Sequence, residues 1–205
     1  MNVLAIDTSV GVSVAILRSN SDVTQSQAID HGMQGELTAE LISEVVADSG
    51  LKIEEISDVV VGVGPGPFTG LRVGLVTASV FAHARSIPIH GICSLDAIAY
   101  EYAKPCVVVT DARRKELYWA RYEGIRIGEP QVAKPEVIAS QFPDADFVGP
   151  GANLYPDYIS GNVTELKAGS LAKLFASGSA QLVDVTPMYL RKPDAVEPTT
   201  RKSVL

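Results

Sequence analysis

The chain has 205 residues, of which 46% are hydrophobic and 20% charged, and a formal net charge of −7. That length suits two small domains, and the composition supports packed cores rather than disorder. The negative charge repels phosphate, so the chain is a poor candidate for gripping nucleic acid unaided, and any link to RNA has to run through a more basic partner. Two cysteines, Cys93 and Cys106, have neither CxxC nor metal-ligand spacing and give no disulfide framework, which fits a reducing compartment. The opening Met1-Asn2-Val3-Leu4-Ala5-Ile6-Asp7 has no basic n-region and carries a carboxylate early. It does not read as a signal peptide, and no apolar run approaches a membrane span, so no leader is expected. A cytoplasmic protein without membrane contact is expected.

Val3 to Ile6 is a β-branched run ending at Asp7-Thr8-Ser9 and reads as a buried strand. Val12, Val14 and Ile16 alternate with smaller residues after Gly11, giving a returning strand, and residues 18–30 complete a meander. From Gln34 to Ser49 the period changes: Leu37, Leu41, Ile42, Val45 and Val46 recur at helical spacing, and Glu36, Glu40, Glu44 and Asp48 form an acidic outer face. Ile56 to Val63 is a strand, broken by Gly64-Pro65-Gly66-Pro67 before a helix over 69–85. Pro88 to Ile92 is a short strand and Ser94 to Tyr102 a helix. Near residue 105 the cycle restarts. Cys106 to Asp111 is a strand ending in a carboxylate, Arg113-Arg114-Lys115 is a basic turn, and Leu117 to Tyr122 returns. Two halves that open alike form a weak internal repeat. Residues 125–205 are rich in Gly and Pro and show only helical patches at 137–141 and 171–177, with a frayed end from Thr199 to Leu205. The boundary falls at 103/104.

A strand ending in Asp-Thr-Ser before a turn can cap that turn, begin an aspartic protease site, or face a nucleotide phosphate across a metal. The protease reading needs two carboxylates sharing a proton, and Asp111 is followed by arginines that would keep it ionised. The matching hairpin at Asp111 favours the phosphate reading over the cap. Gly64 to Gly74 leads into a helix N-terminus, but it is neither a Walker loop nor a dinucleotide fingerprint, and its two prolines offer no N–H. A rigid turn and a ligand loop remain equally open there. On the helix that follows, Gly70, Gly74, Ala78 and Ala82 form a smooth ridge four residues apart. Small or apolar residues cover roughly two thirds of its circumference at 3.6 residues per turn. Arg72, Ser79 and His83, with Val76 among them, make the polar strip. Such a wide apolar face points to a second helix packed against the ridge, either an internal neighbour such as the helix at 37–49 or, favoured because so small a domain has few helices to cover it, one from a partner chain. His31, His83 and His90 have no metal-ligand spacing and read as surface residues, and no Gly-x-Ser-x-Gly elbow is present.

Together Leu4 to Ser9, Gly64 to Gly74, Val109 to Tyr118 and Pro187 to Pro193 resemble the TsaB (YeaZ) family, over nearly the whole chain. Val148 to Ala152 resembles a worn adenosine loop of the wider superfamily. The resemblance implies an α/β, actin-like ATPase (ASKHA, ribonuclease H-like) fold of two lobes, the second reduced. It implies an accessory subunit that pairs with the transferase TsaD and with TsaE in forming threonylcarbamoyladenosine beside the tRNA anticodon. tRNA is then met only through the complex. TsaD carries a His-x-x-x-His metal pair. Ser94 and Ile98 stand at those positions here, which implies no metal site and no catalysis by this chain. No cofactor is expected to bind tightly, with ATP or ADP and magnesium entering only in the complex. Asp7, Thr8, Ser9 and Asp111 are the vestigial nucleotide residues. Leu37, Leu41, Val45, Gly70, Gly74, Thr77, Ala78 and Phe81 are the expected partner face, which drives homodimers when TsaD is absent. The alternative is an independent ATPase or transferase using Asp7 and Asp111 around a magnesium nucleotide.

Overall fold

The computed structural model describes residues 1–28, 34–102 and 104–191. His31, Lys192, Pro193 and the end expected to fray lie outside the described residues. β1 (Val3–Asp7) and β2 (Val12–Leu17) pair antiparallel, with Asp7 opposite Ser13 at the turn, and β3 (Val23–Ala28) completes the meander. After α1 (Gln34–Ser49), β4 (Asp58–Gly62) runs parallel beside β1. α2 (Phe68–Arg85) crosses over to β5 (Ile89–Ile92), parallel to β4.

Strand alternation divides this sheet's side chains between two cores. Leu4, Ile6, Val59 and Val61 face α1 and α2, while Val3, Ala5 and Val60 face the opposite side. β1 is buried throughout because both of its faces are covered.

The second lobe repeats the opening. α3 (Ser94–Tyr102) leads to β6 (Cys106–Asp111), which pairs antiparallel with β7 (Leu117–Glu123). β8 (Ile125–Ala133) follows on the outer edge, then α4 (Pro135–Gln141) and β9 (Phe147–Val148), parallel to β6. The resulting sheet has four strands in the order β8-β7-β6-β9. α3 lies between the lobes: Ala97 joins the core of the first sheet and Ile98 that of the second. This is the actin-like two-lobed α/β architecture with a reduced second lobe.

The boundary expected at 103/104 does not hold to the end of the chain. α5 (Ala168–Ala176) packs on the first sheet, where Ala168, Leu171 and Ala172 join Val3 and Ala5. Its start is held by Ser13 Oγ, which accepts from the Ala168 amide at 3.0 Å, and by Gln25 Oε1, which accepts from Gly169 at 2.9 Å. β10 (Leu182–Val183) then pairs with β5 as the sixth strand of that sheet, in the order β10-β5-β4-β1-β2-β3. The Met188 amide donates to Val63 O at 2.8 Å, and Arg191 pairs with Glu116 of the second lobe. Residues 168–191 thus strap one lobe to the other.

β8 was not expected from sequence. It is an edge strand in which only Arg126 and Pro130 are buried, so it lacks the alternation that marks a strand.

Leu171→Ala should therefore destabilise the whole chain by about 2–5 kcal/mol, as removal of a fully buried leucine does. Urea unfolding followed by circular dichroism checks this. A loss below about 1 kcal/mol would show that α5 adds little to the first sheet.

Candidate functional site

The turn after β1 is fully engaged by its own lobe. Asp7 is buried, and its Oδ1 accepts from the Ser9 amide at 2.8 Å and from Ser9 Oγ at 2.6 Å. Its Oδ2 accepts from Ser94 Oγ at 2.5 Å, and Ser94 Oγ in turn accepts from the Gly64 amide at 3.0 Å. Thr8 Oγ1 donates to Gly70 O at 2.8 Å, fastening the turn to the first turn of α2. Burial pushes the Asp7 carboxyl above its ordinary value, against the opposing pull of the Ser9 and Ser94 donors.

Three glycines permit this closeness. A Cβ at Gly62 would overlap the Asp7 carboxylate, and one at Gly74 would overlap Thr8 Oγ1. One at Gly66 would sit 2.8 Å from Ser9 O. The Gly-Pro-Gly-Pro segment is therefore a packing turn laid on the hairpin.

Asp111 repeats the local turn but not its surroundings. Its Oδ1 accepts from the Arg113 amide at 2.7 Å, and the Arg113 guanidinium approaches within 3.3 Å of Oδ2. About a third of the Asp111 side chain is exposed. Arg113, Arg114 and Lys115 all have positive φ, between 53° and 60°, which turns the chain tightly back into β7.

The two carboxylates line different cavities. Asp7 sits at a recess of about 100 Å³ lined by Val12, Gln27, Pro150 and Leu166. Asp111 borders one of about 230 Å³ with Phe68, Arg113, Tyr189 and Arg191. Small-molecule sites usually occupy about 300–1,000 Å³. Pro150 of the Val148–Ala152 segment lines the Asp7 recess, and Gly151 packs on Val109 O, where a Cβ would come within 2.9 Å.

Ser94 is committed to Asp7, and Ile98 is fully buried beside Cys93 and Leu95. Among the described residues no group of three or more His, Cys, Asp or Glu is placed to hold a metal. Both cysteines are free and buried. His90 is half-buried rather than fully exposed: its ring lies tilted against Phe175 at 4.4 Å and its Nε2 is 3.3 Å from Asp58 Oδ1. His83 is exposed. No described helix is long and apolar enough to cross a membrane.

The expected partner face needs correction. Gly70, Gly74 and Ala78 are buried, because the small ridge lets α2 settle on β1 and β4. Leu41 and Val45 belong to the same core, with Leu37 and Phe81 packed at its margin. Thr77 is half-buried. The strip read as polar is the outward one, and it carries valines: Val76 is 60% and Val80 62% exposed. Val73, Val76, Val80 and Ala84 recur at i, i+3, i+7 and i+11, a second apolar stripe that the sequence holds but the small-residue ridge obscures.

Sequence reasoning also missed a buried polar cluster in the second lobe. Asp96 Oδ1 accepts from Tyr122 Oη at 2.6 Å and from Arg126 Nε at 3.0 Å. Burial raises the Asp96 carboxyl, with Arg126 and Tyr122 opposing.

Residues 35–197 match the family model "TsaD: tRNA N6-adenosine threonylcarbamoyltransferase". An uncharacterized Mycobacterium tuberculosis H37Rv protein is 38% identical over 94% of this chain and 93% of its own length. The TsaB protein of Escherichia coli K12, named for tRNA threonylcarbamoyladenosine biosynthesis, is 26% identical over 93% of this chain and 95% of its own length. The chain belongs to the TsaB/YeaZ family. A Mycobacterium leprae protein is 43% identical over 73% of this chain, a match spanning 42% of that relative's length. The structure of YeaZ from Pseudomonas aeruginosa shares the fold, with a TM-score of 0.77 at 22% identity, over 92% of this chain and 99% of that one.

Gly74→Ala should cost about 1–3 kcal/mol, the usual penalty of overpacking, whereas Val76→Ala should change stability by less than about 0.5 kcal/mol. Paired chemical melts check the contrast, and equal losses would contradict the orientation of α2.

A raised Asp7 carboxyl stays protonated to higher pH in the folded state than in the unfolded one. Its contribution is thus fully present below the unfolded value of 3.8 and is lost as pH rises through the folded value. Asp7→Asn should remove that part of the pH dependence, giving a flatter stability profile across the acid range. An unchanged slope would mean that Asp7 titrates normally.

Proposed function

We propose that this chain is a non-catalytic accessory subunit in the threonylcarbamoyladenosine modification of tRNA, pairing with a TsaD-type transferase and assisted by TsaE. The observation carrying this reading is the commitment of Asp7, Ser9 and Ser94 to one another, in a member of a family whose relatives are named for that modification. The groups that would face a phosphate in an active relative hold the first lobe together instead. The outward stripe of α2 supplies the docking surface, with Val76 and Val80 at its centre and Arg72 and His83 at its rim. In the absence of the transferase the same stripe pairs two copies of this chain. tRNA is reached through the complex, a route supported by the net charge of −7, which disfavours a direct grip on phosphate. Nucleotide and magnesium enter only at a composite site completed by the partner, and the assembly works in the cytoplasm.

The independent ATPase reading needs Asp7 and Asp111 around one metal–nucleotide, and their placement in separate cavities disfavours it.

The test is co-purification with a TsaD-type transferase, followed by a tRNA modification assay omitting each component. Wild type should co-elute, and the double variant V76E/V80E should bind at least about tenfold more weakly, equivalent to 1.4 kcal/mol, with an unchanged melt. Full binding by the variant would place the interface elsewhere. Modification by this chain without the transferase would overturn the non-catalytic assignment.

A further inference from the structure

We infer that the cavity enclosed by α3, the β7–β8 turn and the α5–β10 turn is a binding site for a small monoanion with a compact apolar body, of the aryl or branched-alkyl carboxylate class. The cavity measures about 350 Å³, within the range of small-molecule sites. It lies on the side of the first sheet opposite α1 and α2, where α5 packs, so it stays open when the α2 stripe is covered.

Its floor is polar and deeply buried. Asp96, Tyr122 and Arg126 all line it, and the Asp96 and Arg126 side chains are only 6% and 5% exposed. A buried ion pair is normally sealed by packing, because desolvation of the two ions is offset only by close partners. Here the pair borders open volume instead.

Charge decides the ligand's sign. Asp96 and Arg126 cancel each other. Glu129 Oε2 lies 3.8 Å from Arg126 Nη1, beyond hydrogen-bond range, and its side chain is 89% exposed to water. With Nε given to Asp96, the guanidinium keeps terminal N–H donors for which no described group accepts. Lys104 adds an exposed ammonium at the rim, without a described partner. A carboxylate would meet the Lys104 ammonium and accept from the remaining Arg126 N–H groups, whereas an ammonium would meet a like charge and donors it cannot accept from. Ala99, Leu174, Ile125 and the Tyr100 ring form the walls, suited to an apolar body rather than to a sugar. Perturbed titratable groups beside a cavity are a mark of functional sites.

Benzoate, benzamide and benzamidine share one shape and differ in charge, so they serve as probes in ¹⁵N NMR titrations of the full chain. Benzoate should give saturable shifts centred on Ala99, Tyr100, Ile125 and Gln181, with benzamidine at least tenfold weaker. Lys104→Glu, a surface change, should lower the preference for benzoate over benzamidine by tenfold or more. Ala99→Phe should abolish the shifts by filling the cavity. Saturable shifts centred elsewhere, no saturable shifts with benzoate, or a preference unaltered by Lys104→Glu would overturn the assignment.

Discussion

A buried carboxylate with hydroxyl and amide partners fixes the end of β1, and the rest of the first lobe is arranged around it. Asp7, Thr8 and Ser9 each lie under a different glycine: Gly62 of β4, Gly74 of α2 and Gly66 of the connecting turn. Removal of three side chains lets a strand, a helix and a turn close over the hairpin at once. Ser94 adds the fourth wall by bridging Asp7 Oδ2 and the Gly64 amide, so the start of α3 is fixed by the same knot. The cost is the desolvation of a carboxylate, which pushes the Asp7 carboxyl above its ordinary value.

The second hairpin shows what the first would be without that knot. Asp111 makes the same bond to the amide two residues on, yet it stays partly exposed and faces guanidinium groups. The repeat is thus preserved in backbone and divergent in environment. One carboxylate has become a structural clamp and the other lies beside a basic, open recess. The lobes are joined twice, by α3 between their cores and by the 168–191 strap, which seats Met188 against both. A two-lobed enzyme opens and closes around its nucleotide. In this chain Pro150 and Leu166 line the small recess beside Asp7.

Much of this architecture was legible in sequence. The β-branched runs ending in Asp7 and Asp111 located the paired hairpins, and the helical spacing of Leu37 to Val46 located α1. The inward or outward sense of α2 was not legible, because a small-residue ridge serves equally for close packing on a sheet or on a partner helix. Gly74 against Thr8 decides it, and that contact joins residues distant in sequence. The return of α5 and β10 to the first sheet was equally hidden: a two-residue strand has no periodicity. The Asp96–Tyr122–Arg126 cluster escaped because its members sit on separate elements, and a lone Asp in a short apolar helix gives no signal of its partners. Within the candidate site, the sequence marked Asp7, Thr8 and Ser9 but gave no sign of how Ser94 and three glycines engage them. Asp-Thr-Ser reads the same whether it faces phosphate or its own lobe, and the cap reading describes the geometry found.

If the first hairpin acts as a clamp, as proposed, the isolated chain contributes by docking rather than by nucleotide chemistry. Isothermal titration of the purified full-length chain with magnesium ATP tests it most directly. No saturable heat is expected up to millimolar nucleotide. A stoichiometric isotherm with a micromolar dissociation constant, lost in Asp7→Asn, would contradict it.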